Sequence, residues 1–264
     1  MDRRIVATFS VLLLVFVTGC MDATMDIKVN KDGSGVLTQR VFMSASMKGM
    51  MGAMGDGGDT SLYKIDDLKA AAEKIGEGVT FAGVVDVTNK KGDKGFRASY
   101  NFPDITAINL QNNDDAGMGQ LMGGMAFEFE GGETARLTIN MPANGAGGGG
   151  DSVEAGGDNV GAGGNMQMGA EQMAGMQQMF DGMRVWVRVR VDGTIAETNA
   201  QYVNKRKTGV SLMKMDVGEM VKNAELMEKL DDSKSSSPAA IKKVFGDVDF
   251  LRLEDQEKVV ILFK

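Results

Sequence analysis

Histidine is missing from all 264 residues of this chain. That absence removes the Ser-His-Asp triad, the Cys-His dyad and the histidine general base from consideration. Cysteine occurs once, at Cys20, so no disulfide can form within the chain and zinc sites built from His and Cys are excluded. The fold must therefore be held by burial alone. Proline is rare, at three, and aromatic residues are few, with one Trp and three Tyr. Against these shortages stand 22 methionines and 36 glycines. Aliphatic content is ordinary, enough for a sizeable core. The net charge of −7 argues against nucleic acid or anionic lipid as the main partner of the molecule as a whole.

The chain opens with Arg3 and Arg4, followed by an apolar run from Ile5 to Val17 that only Thr8 and Ser10 interrupt. A charged start and a short apolar core have the order of a secretory signal peptide. The run is 13 residues long, too short to span a bilayer as a helix. It ends in Val17-Thr18-Gly19-Cys20, which resembles the lipobox of bacterial lipoproteins. In that family the cysteine receives a diacylglycerol and the preceding peptide is removed. The resemblance implies lipidation at Cys20, a signal peptide over residues 1–19, and a mature chain of residues 20–264 on a membrane. Met21 after the cysteine is not Asp, so the enterobacterial inner-membrane retention signal is absent; an outer-membrane location facing the periplasm is the expectation.

Along the mature chain, residues 24–29 alternate apolar and polar, Asp32-Gly33 signals a turn, and residues 36–43 resume a strand. Methionines at 43, 47, 50, 51 and 54 have helical spacing. Residues 65–75 predict an amphipathic helix, with Ile65, Leu68, Ala72 and Ile75 on one face. Strands are expected over 79–87 and 96–102, and a hairpin over 126–141 around Gly131-Gly132. Residues 143–164 hold ten glycines and no Lys or Arg, the composition of a disordered insert. Residues 166–183 read as a second Met-rich helix. Strands follow at 184–191, 194–203 and 209–215, helices at 217–230 and 239–245, and a last hairpin at 248–253 and 258–263. The expectation is a single α+β ectodomain: a mainly antiparallel sheet of hairpins, several packed amphipathic helices and the Gly-rich insert.

Three groups of residues invite chemistry. Asn30-Lys31-Asp32-Gly33-Ser34-Gly35 and Leu37 match the opening of an EF-hand calcium loop, but its twelfth position is Val41 and not Glu, and its flanks have strand periodicity. A polar hairpin turn is the better reading. Met47, Met50, Met51, Met54, Met173, Met176 and Met179 could offer soft thioether ligands to Cu(I). They could equally pack irregular gaps or form a soft contact surface. Arg184, Trp186, Arg188 and Arg190 share one face of a strand, where they could hold a phosphate or carboxylate. Glu128 and Glu130 alternate against Phe127 and Phe129 in the same way, and an Arg–Glu cross-strand ladder is the favoured reading. Acid pairs such as Asp66-Asp67 sit where helix starts and loops are expected. No nucleophile elbow, phosphate loop or dinucleotide fingerprint is present.

The early strand, the Asn30–Gly35 turn and the strand after it resemble the opening of the LppM-like bacterial lipoproteins. Gly193-Thr194-Ile195-Ala196-Glu197-Thr198-Asn199-Ala200, with the strand to Met215, is similar to a later part of such proteins. The resemblance implies an ectodomain held at a membrane surface, with lipid affinity. Members typically end in a membrane helix, whereas Val259 to Lys264 is too short to be one. The functional expectation is a non-enzymatic envelope lipoprotein that binds or scaffolds at the membrane, taking an apolar ligand, a lipid or an envelope protein; no catalytic residue, cofactor, metal or nucleic-acid site is assigned. The alternative is copper handling through the Met-rich segments.

Overall fold

The computed structural model describes residues 21–43, 62–110, 125–141, 182–223, 242, 245, 246 and 248–264. These residues hold eleven strands and two α-helices. One sheet has seven strands: β1 (Met21–Val29), β2 (Gly35–Met43), β3 (Thr80–Thr88), β4 (Lys94–Phe102), β7 (Arg184–Val191), β9 (Gly209–Asp216) and β10 (Leu251–Leu253), in the order β10-β9-β7-β1-β2-β4-β3. The other has four: β5 (Ala126–Glu130), β6 (Ala135–Asn140), β8 (Ile195–Thr198) and β11 (Lys258–Phe263), in the order β5-β6-β11-β8.

Period-two alternation builds the core. On β1, Ala23, Met25, Ile27 and Val29 are buried; on β7, so are Val185, Val187, Val189 and Val191. The four-stranded sheet answers with Phe127, Leu137, Ile139, Val259, Ile261 and Phe263. These side chains belong to one apolar cluster, so the two sheets bury one face of each other. Helix α1 (Ile65–Ile75) adds Leu68, Ala72 and Ile75 to that cluster, and Asp66 and Asp67 in its first turn suit the positive end of the helix dipole. Ile65, expected on the buried face, is 51 % exposed. A smaller cluster of Met215, Met220, Phe245, Leu251 and Leu253 sits where β9, β10 and α2 (Val217–Lys222) meet.

The expected α+β class with several packed amphipathic helices is overturned: among the described residues the fold is mostly β, with two sheets and two helices. The physical reason lies in what covers the large sheet. Its apolar face is closed mainly by another sheet, so helices are not needed as the covering layer. The expected helix at 43–54 beyond residue 43, that at 166–183 up to residue 181, residues 224–230 of the helix expected at 217–230, most of 239–245, and the insert at 143–164 lie outside the described residues. Every ladder is antiparallel except β1 with β7, which is parallel and places Asp22 beside Arg184 and Val29 beside Val191. The apolar run near the end of the chain, Val259 to Phe263, lies in β11, an inner strand between β6 and β8.

The Asn30–Ser34 segment is the tight connection of the β1–β2 hairpin. Asn30 N–H donates to the Ser34 carbonyl at 2.8 Å and Gly33 N–H to the Asn30 carbonyl at 3.1 Å. Gly33 has a φ of 87°, which favours glycine. The Asp32 carboxylate, which a calcium loop would aim at the ion, instead accepts from the Ser34 N–H at 3.0 Å and the Ser34 hydroxyl at 2.6 Å. Those bonds hold its pKa below the ordinary value.

Candidate functional site: the outer face of the large sheet

The register of the ladders fixes what stands on the face of the seven-stranded sheet turned away from the other sheet. Four rows of side chains cross it. One runs Asp216, Arg184, Asp22, Phe42 over β9, β7, β1 and β2. The next runs Arg252, Lys214, Trp186, Thr24, Arg40, Arg97 over six strands. The third runs Ser211, Arg188, Asp26, Thr38, Ser99, and the fourth Gly209, Arg190, Lys28, Val36, Asn101. Eight basic side chains thus share the face with three carboxylates, Asp22, Asp26 and Asp216.

Asp26 is the centre of the face. Its side chain is 5 % exposed, although it sits on the outward side of β1. Two arginines of β7 cover it. Arg190 Nε donates to Asp26 Oδ1 at 2.6 Å, and Arg188 donates to Oδ2 through both Nε and Nη2. Charge-assisted bonds of this kind are the strong ones, and here each carboxylate oxygen has its own arginine. The arginines keep contact with water, at 28 % and 43 % side-chain exposure, so the carboxylate is desolvated and the cations are not. Trp186 lies beside Arg188, whose guanidinium carbon is 4.6 Å from the ring centroid, and its indole Nε1 donates to Ser211 Oγ at 2.9 Å.

The expected Arg–Glu ladder is not what absorbs these charges. Glu128 and Glu130 stand on the other sheet, where Glu128 accepts from Asn140 Nδ2 at 2.8 Å and lies 3.7 Å from Lys258 Nζ. The Asn140 bond, foremost, lowers the Glu128 pKa. Arg188 and Arg190 take Asp26 as partner, and Arg184 takes Asp216 at 2.8 Å.

Arg40 and Arg97 are directly opposite on neighbouring strands, an arrangement that is destabilising for like charges. Their row contains no carboxylate. Arg97 is exposed and has no acidic partner among the described residues, and Arg40 has Asp22 diagonally across β1. Asp22 is itself raised above its usual pKa, because burial outweighs Arg184, Arg40 and Lys91 nearby. This part of the face has an excess of positive charge that an anion would relieve.

Sequence reasoning singled out Arg184, Trp186, Arg188 and Arg190 as one stripe, and they do form one. It missed Asp26, Arg40, Arg97, Lys214 and Arg252. Each lies at an outward position of an alternating strand, which is a legible signal, but only the register shows that they meet. Met47, Met50, Met51, Met54, Met173, Met176, Met179 and Cys20 lie outside the described residues. Of the methionines described, Met25, Met125, Met215 and Met220 are buried packing residues. Among the described residues no group of three or more His, Cys, Asp or Glu is placed to hold a metal ion, and no helix is long and apolar enough to cross a membrane.

No family model matches the chain, and no curated protein does. Among solved structures, the chain is similar to the folded domain of Mycobacterium tuberculosis LppM, determined by NMR, at 12 % identity. The match covers 77 % of this chain and 86 % of that one, with a TM-score of 0.31.

Proposed function

We propose that the chain is an acylated lipoprotein of the bacterial cell envelope whose ectodomain works by binding at the membrane surface and not by catalysis. The observation that carries this reading is the sequence Val17-Thr18-Gly19-Cys20 after a 13-residue apolar run, with Cys20 the single cysteine of the chain. The described ectodomain adds a basic, aromatic-flanked sheet face on which Arg97 has no acidic partner among the described residues, a surface suited to holding an anionic group. The outer membrane, facing the periplasm, is the favoured location because Met21 and not Asp follows the cysteine.

Several acyl chains anchor stably, whereas one binds weakly and reversibly. Replacing Cys20 with Ser should therefore leave the precursor unprocessed and free of lipid. Mass spectrometry of the envelope protein checks this: the wild type should begin at an acylated Cys20. Finding it in the envelope with residues 1–19 attached and the thiol unmodified would refute the reading.

A further inference from the structure

Strand β1 begins at Met21, one peptide bond after the cysteine expected to carry the lipid. Consecutive Cα atoms are about 3.8 Å apart, so no linker separates the acyl chains from the sheet. β1 is also the fourth of seven strands, so the tether meets the middle of one end of that sheet and not a corner. The register shows what else is at that end. Met21 is level with Met43 on β2, Met43 with Lys94 on β4, and Lys94 with Thr88 on β3. With strands about 4.8 Å apart, Lys94 lies about 10 Å along the end from Met21. The turn between β3 and β4 projects past this line and carries Lys90 and Lys91, both exposed, as is Lys94. Its acid, Asp93, is engaged by Asn89 Nδ2 at 2.8 Å.

Asp22, on β1 itself, lies near Arg184, Arg40 and Lys91, and across β1 most charges of the described residues at this end are paired. Arg184 pairs with Asp216 at 2.8 Å and Lys222 with Glu219 at 3.0 Å; Asp249 is also there. The opposite end carries both signs among the described residues. Asp32, Glu77, Asp104 and Asp192 lie at its turns, beside Lys28, Lys31, Lys264 and the exposed Lys205, Arg206 and Lys207, and the β5–β6 turn with Glu130 and Glu133 approaches it: a Cβ on Gly131 would lie 3.7 Å from the Lys31 carbonyl. A nine-residue strand separates the two ends by about 26 Å.

We propose that the end of the seven-stranded sheet at which β1 starts rests on the very bilayer that holds the acyl chains, with Lys90, Lys91 and Lys94 against its phosphate headgroups and the β1–β2 turn pointing away. This rests on acylation at Cys20. The basic hairpin next to a linkerless tether is the charge complement of an anionic leaflet. The sandwich then stands end-on, its basic outer face upright just above the headgroups.

The acylated full-length protein in vesicles tests this. Cys20 is consumed by the lipid, so an introduced cysteine is the one free thiol. Thr88→Cys at the anchored end and Lys31→Cys at the far turn would each carry a fluorophore. The vesicles would be phosphatidylethanolamine with phosphatidylglycerol, including a lipid whose headgroup bears a nitroxide quencher. The expected result is quenching at residue 88 at least threefold stronger than at residue 31. Reversing Lys90, Lys91 and Lys94 to Glu should reduce the difference in these vesicles. Inserting a twelve-residue Gly-Ser linker between Cys20 and Met21 should reduce it as well, while vesicle retention stays. Equal quenching at the two sites, or the reverse order, overturns the proposal. An unchanged difference after lysine reversal overturns the role of the hairpin. Mass spectrometry of the same samples separates these failures from a failure of acylation, which would appear as an unmodified Cys20.

Discussion

At the scale of single residues, two side chains carry sharply different free-energy terms. The Asp26 carboxylate is buried while its two arginines reach water. Removing the carboxylate leaves cations that can rehydrate, so Asp26→Ala should cost about 2 kcal/mol, below the range for a fully buried pair. Removing both arginines strands the carboxylate, so the Arg188→Ala, Arg190→Ala double variant should lose more than Asp26→Ala does. Urea unfolding of the three proteins gives the order directly. Tyr100 is the opposite case. Its ring is fully buried against Phe81, and among the described residues its hydroxyl has no hydrogen-bond partner. Burial pushes its pKa up to about 12. An unsatisfied buried hydroxyl costs about 1–3 kcal/mol, so Tyr100→Phe should raise stability by about 1 kcal/mol. A loss measured by thermal unfolding would mean the hydroxyl does have a partner.

At the scale of elements, strands with strict alternation were legible: residues 24–29, 36–43, 126–141, 184–191 and 258–263 all fall on strands or hairpins of the structure. Alternation reports local pleat and burial, and both are properties of a few residues. Pairing is not. Nothing in residues 21–29 tells that their second neighbour is residues 184–191, running parallel. Hence the arginine stripe was visible and its partner Asp26 was not. The expectation of several packed amphipathic helices failed because, among the described residues, a second sheet covers the apolar face of the first. The Gly-rich segment gives an element-scale prediction. Loop-closure entropy changes by about 0.6 kcal/mol for each twofold change in length. Deleting residues 143–164 roughly halves the connection from β6 to β7. It should therefore alter stability by no more than about that amount, in the stabilising direction, as calorimetry would show.

At the scale of the whole molecule, net charge averages over faces. A chain of net charge −7 still presents one sheet face with eight basic side chains against three carboxylates. The parallel ladder at the centre of that sheet has a further consequence, in time. Arg188 and Asp26, partners in the finished sheet, are 162 positions apart. Ribosomes add about 5–20 residues per second, so β1 is made on the order of ten to thirty seconds before the strand that completes it. Its hairpin with β2 can close at once, but its other edge stays open, and open edges recruit stray strands. The centre of the fold is thus the part that needs guarding longest.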